Sequence, residues 1–133
     1  HTAYRQNLIR FVNDTRSKGA TPVILSSIVR RNFNEQGTLV DTHGLYPMEA
    51  RLVASDYKVP FIDLQYLTEL LEESYGIEGS KKLHLHFAAG ENPFYKTEKH
   101  DDTHLSLLGA TEISKLVIEE LKKTDLDLKK HIK

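Results

Sequence analysis

The feature that most constrains this sequence is the alternation of amphipathic segments with two short apolar runs. Apolar residues recur at helical spacing from Tyr4 to Val12 and predict a first helix that ends near Gly19. Residues 21–27 and 59–64 are predicted to be short strands, and the uninterrupted apolar residues within the first are typical of a buried parallel strand. Because strands that alternate with helices form a parallel sheet covered by helices, this order predicts an α/β fold.

Further helices are expected between and after these runs. A second helix is predicted from Pro47, a favoured first-turn residue, to about Tyr57. A third is marked by apolar residues from Leu67 onward and ends at Gly76. The last helix is predicted to have Ser106 as its N-cap and carries an apolar stripe that reaches Leu121.

Three stretches lack a regular pattern. Residues 29–45 are polar and contain glycine, so they are expected to form a long loop, a type that is usually functional. Residues 84–103 look irregular and follow a short helical turn near residues 80–82. The Lys- and Asp-rich tail from Thr124 is expected to fray.

Length and composition limit the kind of protein this can be. The chain has 133 residues, enough for one domain at most, and it begins with His1 rather than Met, so residues 1–133 are expected to be a piece of a longer polypeptide. The formal net charge of -1 argues against broad electrostatic binding of nucleic acid or of an anionic membrane. With no cysteine, the chain has no disulfide framework and no thiol nucleophile, while a secreted, periplasmic or cytoplasmic location is left open.

The densest group of titratable residues, 99–106, lies just before the last helix and contains Asp101 and His104. A carboxylate that accepts a hydrogen bond from one imidazole nitrogen orients the ring, and the other nitrogen can then act as a general base. The alternative is a capped loop, in which Asp101 or Asp102 binds backbone amides and His104 is an exposed surface residue. The spacing alone favours this second interpretation, whereas the position ahead of a helix in an α/β chain favours the first.

A nucleophile for such a base is harder to find. The sequence contains neither Gly-x-Ser-x-Gly nor Gly-Asp-Ser. Ser26 and Ser27 follow the first predicted strand, a suitable place, but polar strand-end residues that bond to the backbone are the more common case.

The histidines also allow a metal site to be considered. His84 and His86 would lie on one face of an extended segment, and His100 and His104 are four residues apart, so together with nearby carboxylates they could supply a zinc shell. The His-x-His spacing is common by chance, and His100 precedes the helix. No metal site is therefore assigned.

Two further positions are candidates for substrate contact. Arg30, with Arg31 beside it, could bind an acidic substrate such as a uronic acid through a bidentate fork, although a solvated loop pair is the more common arrangement. His43, in the predicted long loop, could line a site or be an ordinary turn residue.

Three segments resemble one protein family: GATPVILSSIVRRNF, THGLYPMEARLVASDYKVPFIDL and DDTHLSLLGA. They are similar to the second half of the rhamnogalacturonan acetylesterase group of the SGNH (GDSL-like) hydrolases. The likeness extends from about Tyr4 to Leu121 in the same order. It implies a three-layer α/β/α sandwich with a parallel, flavodoxin-like sheet, of which residues 1–133 would be a single partial domain, the C-terminal portion.

The resemblance also implies an activity. Members remove acetyl groups from carbohydrate esters without a metal or organic cofactor, using a Ser-His-Asp triad and an acetyl-enzyme. The Asp-x-x-His block of the family matches Asp101 and His104, and Asp102 falls on a variable position. The resemblance therefore implies deacetylation of an acetylated pectin- or rhamnogalacturonan-type polysaccharide.

The sequence departs from the family pattern at the nucleophile. The Gly-Asp-Ser block, the oxyanion glycine and the Gly-x-Asn-Asp block have no match here, and Asn13-Asp14 is rejected because Phe11 stands where the glycine should. The isolated chain is therefore expected to be inactive as an esterase. An unpaired strand edge at residues 22–26 is expected to bind the missing N-terminal half or another copy of the chain.

Two other functions are kept as alternatives. One is a non-catalytic carbohydrate-binding or accessory protein of the same fold. The other is a metal-dependent hydrolase that uses the histidine cluster.

Overall fold

The computed structural model describes residues 2–132, in which helices and strands alternate as expected. In chain order the elements are α1 (Thr2–Ser17), β1 (Ile24–Leu25), α2 (Tyr46–Asp56), β2 (Phe61–Ile62), α3 (Leu64–Gly79), β3 (His84–Phe87), β4 (Lys99–Leu105) and α4 (Leu107–Lys123), with 3₁₀ turns at Ser80–Leu83 and Asp127–His131. No helix in residues 2–132 combines the length and the apolarity that a membrane crossing requires.

Strands β1 and β2 pair in parallel, with Ile24 opposite Phe61. They are shorter than the apolar runs that predicted them. The pairing is framed by hydrogen bonds from Ile24 N to the carbonyl of Pro60, at 3.0 Å, and from Ser26 N to the carbonyl of Ile62, at 3.1 Å. The parallel pair flanked by helices confirms the α/β fold class.

The main apolar core lies between the parallel strands and the first two helices. Its buried members are Val12, Ile24, Ala50, Val53, Ala54 and Val59. Arg5 of α1 strengthens the packing of α1 on α2, since its guanidinium contacts Glu49 at 3.0 Å and also Asp56. Pro47 stands in the first turn of α2, as predicted from its position.

Helix α3 begins earlier than its apolar pattern indicated. Asp63 is its N-cap and accepts a hydrogen bond from Tyr66 N at 3.3 Å. The helix is interrupted at the predicted residue, Gly76, where φ is 68° and ψ is 176°. A glycine tolerates this left-handed backbone, and a further turn continues to Gly79.

The expectation that residues 84–103 are irregular is wrong for both ends of that stretch. Strand β3 pairs antiparallel with β4, and His86 lies opposite His100. The sequence of β4, KHDDTHL, has no apolar alternation, so the usual strand signal is missing. The strand is therefore stabilised by pairing with β3 rather than by a buried face of its own.

The start of α4 is anchored to the beginning of this hairpin. Ser106 is the predicted N-cap, and its Oγ accepts a hydrogen bond from Gly109 N at 3.1 Å. Ser106 N donates to the carbonyl of Leu83 at 2.9 Å. Beyond α4, the tail forms the 3₁₀ turn Asp127–His131 instead of fraying throughout.

Candidate active site

A bulge in the β3–β4 hairpin brings Asp101 and His104 together. Leu85 lies opposite Asp101, whereas the preceding residue, His84, lies opposite Leu105. Residues 102–104 therefore have no partner on β3 and fold into a turn within the strand. A three-residue spacing thus becomes a side-chain contact, which a regular strand would not allow because residues an odd number apart face opposite sides.

The contact between the two side chains is a hydrogen bond with supporting backbone geometry. Nδ1 of His104 lies 2.9 Å from Oδ2 of Asp101. The other carboxylate oxygen, Oδ1, accepts the backbone N–H groups of Thr103 and His104, each at 2.9 Å. One carboxylate therefore closes the turn and orients the ring that the turn carries.

Hydrogen bonding keeps Asp101 ionised. The backbone N–H groups of His104 and Thr103, followed by the His104 side chain, hold the pKa of Asp101 far below its usual range. An ionised carboxylate can only accept hydrogen bonds. The proton of the neutral ring must then lie on Nδ1 of His104, which leaves the lone pair on Nε2.

The imidazole of His104 is turned toward solvent. Its side chain is 74% exposed, while that of Asp101 is only 16% exposed. Within residues 2–132, no hydrogen bond or ion pair reaches Nε2 of His104. This arrangement can accept a proton from a group that approaches from outside and return it to a leaving group.

Asp102, the residue between this pair, is held by two side chains. Its Oδ1 accepts hydrogen bonds from Nη1 of Arg31 at 2.8 Å and from Nε2 of His86 at 2.7 Å. Burial raises the pKa of Asp102, but the hydrogen bonds from Arg31 and His86 outweigh that effect and keep it below the usual value. Its backbone carbonyl also accepts Arg31 N at 3.0 Å.

The two neighbouring arginines have different environments. Arg31 is only 9% exposed and points inward, so the expectation of a solvated arginine pair is wrong for this residue. Arg30 is exposed and has no hydrogen bond or ion pair among the described residues. Its binding of an acidic substrate stays a prediction.

His43 lies near the carboxyl ends of the parallel strands, in a network of its own. Its Nδ1 is 3.4 Å from Oδ1 of Asp41, too poorly aligned for a hydrogen bond. Asp41 binds Gln65, which in turn binds Arg51. Within residues 2–132, no hydrogen bond or ion pair joins His43 to Asp101 or His104, so a substrate-binding role for His43 stays a prediction.

Ser26, considered above as a nucleophile, is committed to structure. Its Oγ donates to Oδ1 of Asp63 at 3.0 Å and accepts Gln65 N at 2.9 Å. The residue is buried, and Asp63 is further bound by the Arg51 guanidinium. Ser26 therefore fixes the strand ends, as polar strand-end residues commonly do.

The histidines that were considered as metal ligands have carboxylate neighbours. His84 is buried, and its Nε2 lies 2.6 Å from Oε1 of the buried Glu72. His86 binds Asp102, and His100 lies near Glu98. In the described part of the chain, no three His, Asp or Glu side chains are grouped as a metal ion would require.

Sequence reasoning missed the group formed by Arg31, His86 and Asp102. The arginine pair and the His-x-His spacing were both visible, but their relation to Asp102 was not. The three residues are separated by 16 to 71 positions along the chain and meet only in the folded hairpin.

Comparison with known proteins supports the resemblance seen in the sequence. The chain is 40% identical to rhamnogalacturonan acetylesterase RhgT of Bacillus subtilis over 132 residues, which is 99% of the chain and 57% of that protein. It is 27% identical to the probable rhamnogalacturonan acetylesterase YesY of the same organism, across 99% of the chain and 56% of that protein. The chain thus spans about half the length of these relatives and matches their C-terminal half, which confirms the resemblance. No protein-family model matches the sequence.

A solved structure shares the fold. The crystal structure of the protein YXIM from Bacillus subtilis superposes with a TM-score of 0.73 at 20% identity, covering 92% of this chain and 31% of that protein. At this identity the likeness shows the fold alone, and it agrees with the α/β class derived from the sequence.

Proposed function

We propose that this chain supplies the acid–base half of a Ser-His-Asp triad in a carbohydrate esterase. His104 is the general base and general acid, and Asp101 orients it. The observation that carries the proposal is the 2.9 Å hydrogen bond from His104 Nδ1 to Asp101, with Nε2 of the same ring exposed. The similarity to rhamnogalacturonan acetylesterases supports an acetylated pectin- or rhamnogalacturonan-type polysaccharide as the substrate.

The chemistry follows the usual order for acyl transfer. A serine Oγ attacks the acetyl carbonyl carbon while its proton passes to Nε2 of His104. The imidazolium then gives this proton to the sugar oxygen as the ester bond breaks, leaving an acetyl-enzyme. Water, deprotonated by the same Nε2, releases acetate and restores the serine. Asp101 stays ionised throughout and stabilises the imidazolium.

The serine is proposed to come from outside residues 1–133. Within residues 2–132, no serine hydroxyl is hydrogen-bonded to His104. Ser27, the second serine after β1, is half-buried and has no hydrogen bond to His104. Two other serines are engaged elsewhere. Ser26 binds Asp63, and Ser106 caps α4 while its hydroxyl donates to the carbonyl of Lys82 at 2.6 Å. We propose that the missing half of the domain, or another chain, presents the nucleophile and the oxyanion donors to His104.

The edge of β1 is the proposed contact for that partner. Strand β1 pairs with β2 on one side, and no strand of residues 2–132 covers its other edge. Beside it an apolar groove of about 400 Å³ is lined by residues of α1, of β1 and of the segment just before β1, including Leu8, Pro22 and Val23. Phe11 and Leu25, which also line it, are 58% and 40% exposed. Unpaired strand edges with apolar neighbours favour the addition of a further strand.

The decisive experiment compares hydrolysis of p-nitrophenyl acetate and of acetylated rhamnogalacturonan by the isolated chain and by the polypeptide that joins it to the serine-bearing half. The isolated chain should be inactive and the joined polypeptide active. His104→Ala should lower turnover of the joined polypeptide by roughly 10⁴-fold or more, as loss of a triad histidine does. His131→Ala, on an exposed residue of the 3₁₀ turn Asp127–His131, is the control and should retain activity.

Two outcomes would contradict the proposal. Unchanged turnover in His104→Ala would refute the triad assignment. His104-dependent turnover by the isolated chain would keep the base but refute the external nucleophile. The partner contact at the edge of β1 has its own test. Leu25→Lys should weaken association with the other half. If the isolated chain sediments as a monomer and unfolds cooperatively in urea, the proposed contact is contradicted.

A further inference from the structure

The three bulged residues are not held by strand pairing. The backbone of residues 102–104 has no pairing partner on β3, and the side chain of His104 touches only Asp101 among hydrogen-bonding groups of residues 2–132. The direction of Nε2 therefore depends on where the backbone of the turn lies. Asp101 closes the turn internally but does not attach it to the rest of the molecule.

Arg31 provides this attachment from the loop that follows β1. Its Nη1 donates to the carboxylate of Asp102, and its backbone N–H donates to the carbonyl of the same residue. The side chain and the main chain of Asp102 are thus both bound by one residue. Two such contacts restrict rotation of the turn as well as its displacement.

Arg31 is itself fixed by the end of α3. Its Nε donates to Oγ of Ser80 at 3.0 Å, and its Nη2 donates to the carbonyl of Ile77. Each guanidinium nitrogen therefore has an acceptor, and the side chain is 9% exposed. A buried arginine with three separate acceptors is a rigid connection, because its planar fork loses little freedom for each bond formed.

His86 completes the anchor from the facing strand. Its Nε2 lies 2.7 Å from the same Asp102 oxygen that Arg31 binds, and its ring packs edge-on against His100 with centroids 5.8 Å apart. Asp102 is thus bound to β3, to the loop after β1 and, through Arg31, to α3. Three elements converge on the residue that directly follows Asp101.

We propose that Arg31 and His86, acting through Asp102, are positioning residues that hold Asp101 and His104 in their reactive geometry. This inference rests on the proposed triad function. Neither Arg31 nor His86 needs to touch the substrate. Displacement of a reactive group by about 1 Å can reduce turnover by about 100-fold, so loss of the anchor should reduce kcat while leaving KM nearly unchanged.

The test uses the joined, active polypeptide with Arg31→Met, Asp102→Asn and their combination. Each single variant should lower kcat by about 10- to 100-fold. If Arg31 acts through Asp102, the double variant should lose no more than the larger single loss, whereas independent effects would multiply. Arg31→Lys keeps the charge but cannot reach three acceptors, so it should stay folded and still show reduced kcat. Arg10→Met and Asp125→Asn, both on exposed residues, are controls that should keep the wild-type kcat.

A spectroscopic readout separates positioning from general stability. The imidazole ¹⁵N spectrum of His104 should show the Nδ1–H form in the wild-type polypeptide, and the Arg31 and Asp102 variants should shift toward a mixture of tautomers. Wild-type kcat and an unchanged His104 spectrum in folded Arg31→Lys and Asp102→Asn would overturn the inference. If His104→Ala leaves turnover intact, the proposed function fails, yet the His104 spectrum still decides whether Arg31 positions the ring.

Discussion

The carbonyl oxygen of Leu83 lies where a side chain on Gly109 would begin: a Cβ built at Gly109 would be 2.0 Å from that oxygen. The backbone of Gly109, in the first turn of α4, therefore lies directly against Leu83, the residue that precedes β3. Together with the hydrogen bond from Ser106 N to the carbonyl of Leu83, this contact joins the end of the β3–β4 hairpin to its beginning. Close approach of two backbones is a setting in which only glycine fits without displacement.

Gly109→Ala should therefore destabilise the protein. The backbone of Leu83 cannot move aside as the end of a flexible side chain could, so α4 must shift away from the hairpin. We expect a loss of about 1–3 kcal/mol in the free energy of unfolding, measured by urea denaturation. Gly79→Ala is the matched control, since its nearest neighbour would be Tyr75 Cβ at 3.6 Å, an ordinary contact. Equal stability of the two variants would contradict the prediction.

Asp101→Asn should lower turnover of the joined polypeptide by roughly 10⁴-fold without unfolding it. The amide oxygen can still accept the backbone N–H groups, so the turn persists, but an amide no longer imposes the Nδ1–H form on His104. The measurement is kcat for p-nitrophenyl acetate, with circular dichroism as the check on folding. Asp125→Asn, on a fully exposed side chain, should behave as wild type. A wild-type rate in Asp101→Asn would remove Asp101 from the mechanism.

The buried pair of Glu72 and His84 should contribute to stability rather than to turnover. The side chain of Glu72 is 4% exposed and that of His84 is 0% exposed. Within residues 2–132, neither Oε2 of Glu72 nor Nδ1 of His84 has a hydrogen-bond partner. Replacing either residue leaves the other buried without its hydrogen bond, which should cost about 1–3 kcal/mol. Replacing both by leucine should cost less than the sum of the single changes. Additive losses in urea denaturation would show that the pair is not coupled.

Stability should decrease in acid partly because of Asp63. Burial raises the pKa of Asp63, but hydrogen bonds from Arg51, Tyr66 N and Ser26, with the charge of Arg51, keep it below the usual value. A carboxyl group with a lower pKa in the folded state stabilises fully above its unfolded pKa of about 4, and this contribution is lost as the pH falls through the folded pKa.

Asp63→Asn should therefore reduce the free energy of unfolding at pH 7 and flatten its decline below about pH 4. The measurement is urea denaturation across that range. Asp14→Asn, on an exposed residue of α1, controls for the simple loss of one negative charge. An acid decline in Asp63→Asn as steep as that of the wild type would contradict this account.

Local sequence determined the parts of this protein that depend on neighbouring residues. The helical spacing of apolar residues predicted α1, α2 and α4, Ser106 was recognisable as an N-cap, and the break at Gly76 falls at the predicted residue. The pairing of Asp101 with His104 was also a local prediction, because three residues of separation can be closed by one turn. The segments around these residues carried the resemblance to acetylesterases.

Tertiary structure alone decided which polar residues are buried and what they bind. The sequence does not distinguish Arg30 from Arg31, yet one is exposed and the other meets Asp102, 71 residues away. The same holds for Glu72 and His84, and for the polar strand β4, which exists because β3 pairs with it. The physical reason is that these contacts form only when distant segments meet, and their energies come from desolvation and hydrogen bonding, which local patterns do not encode.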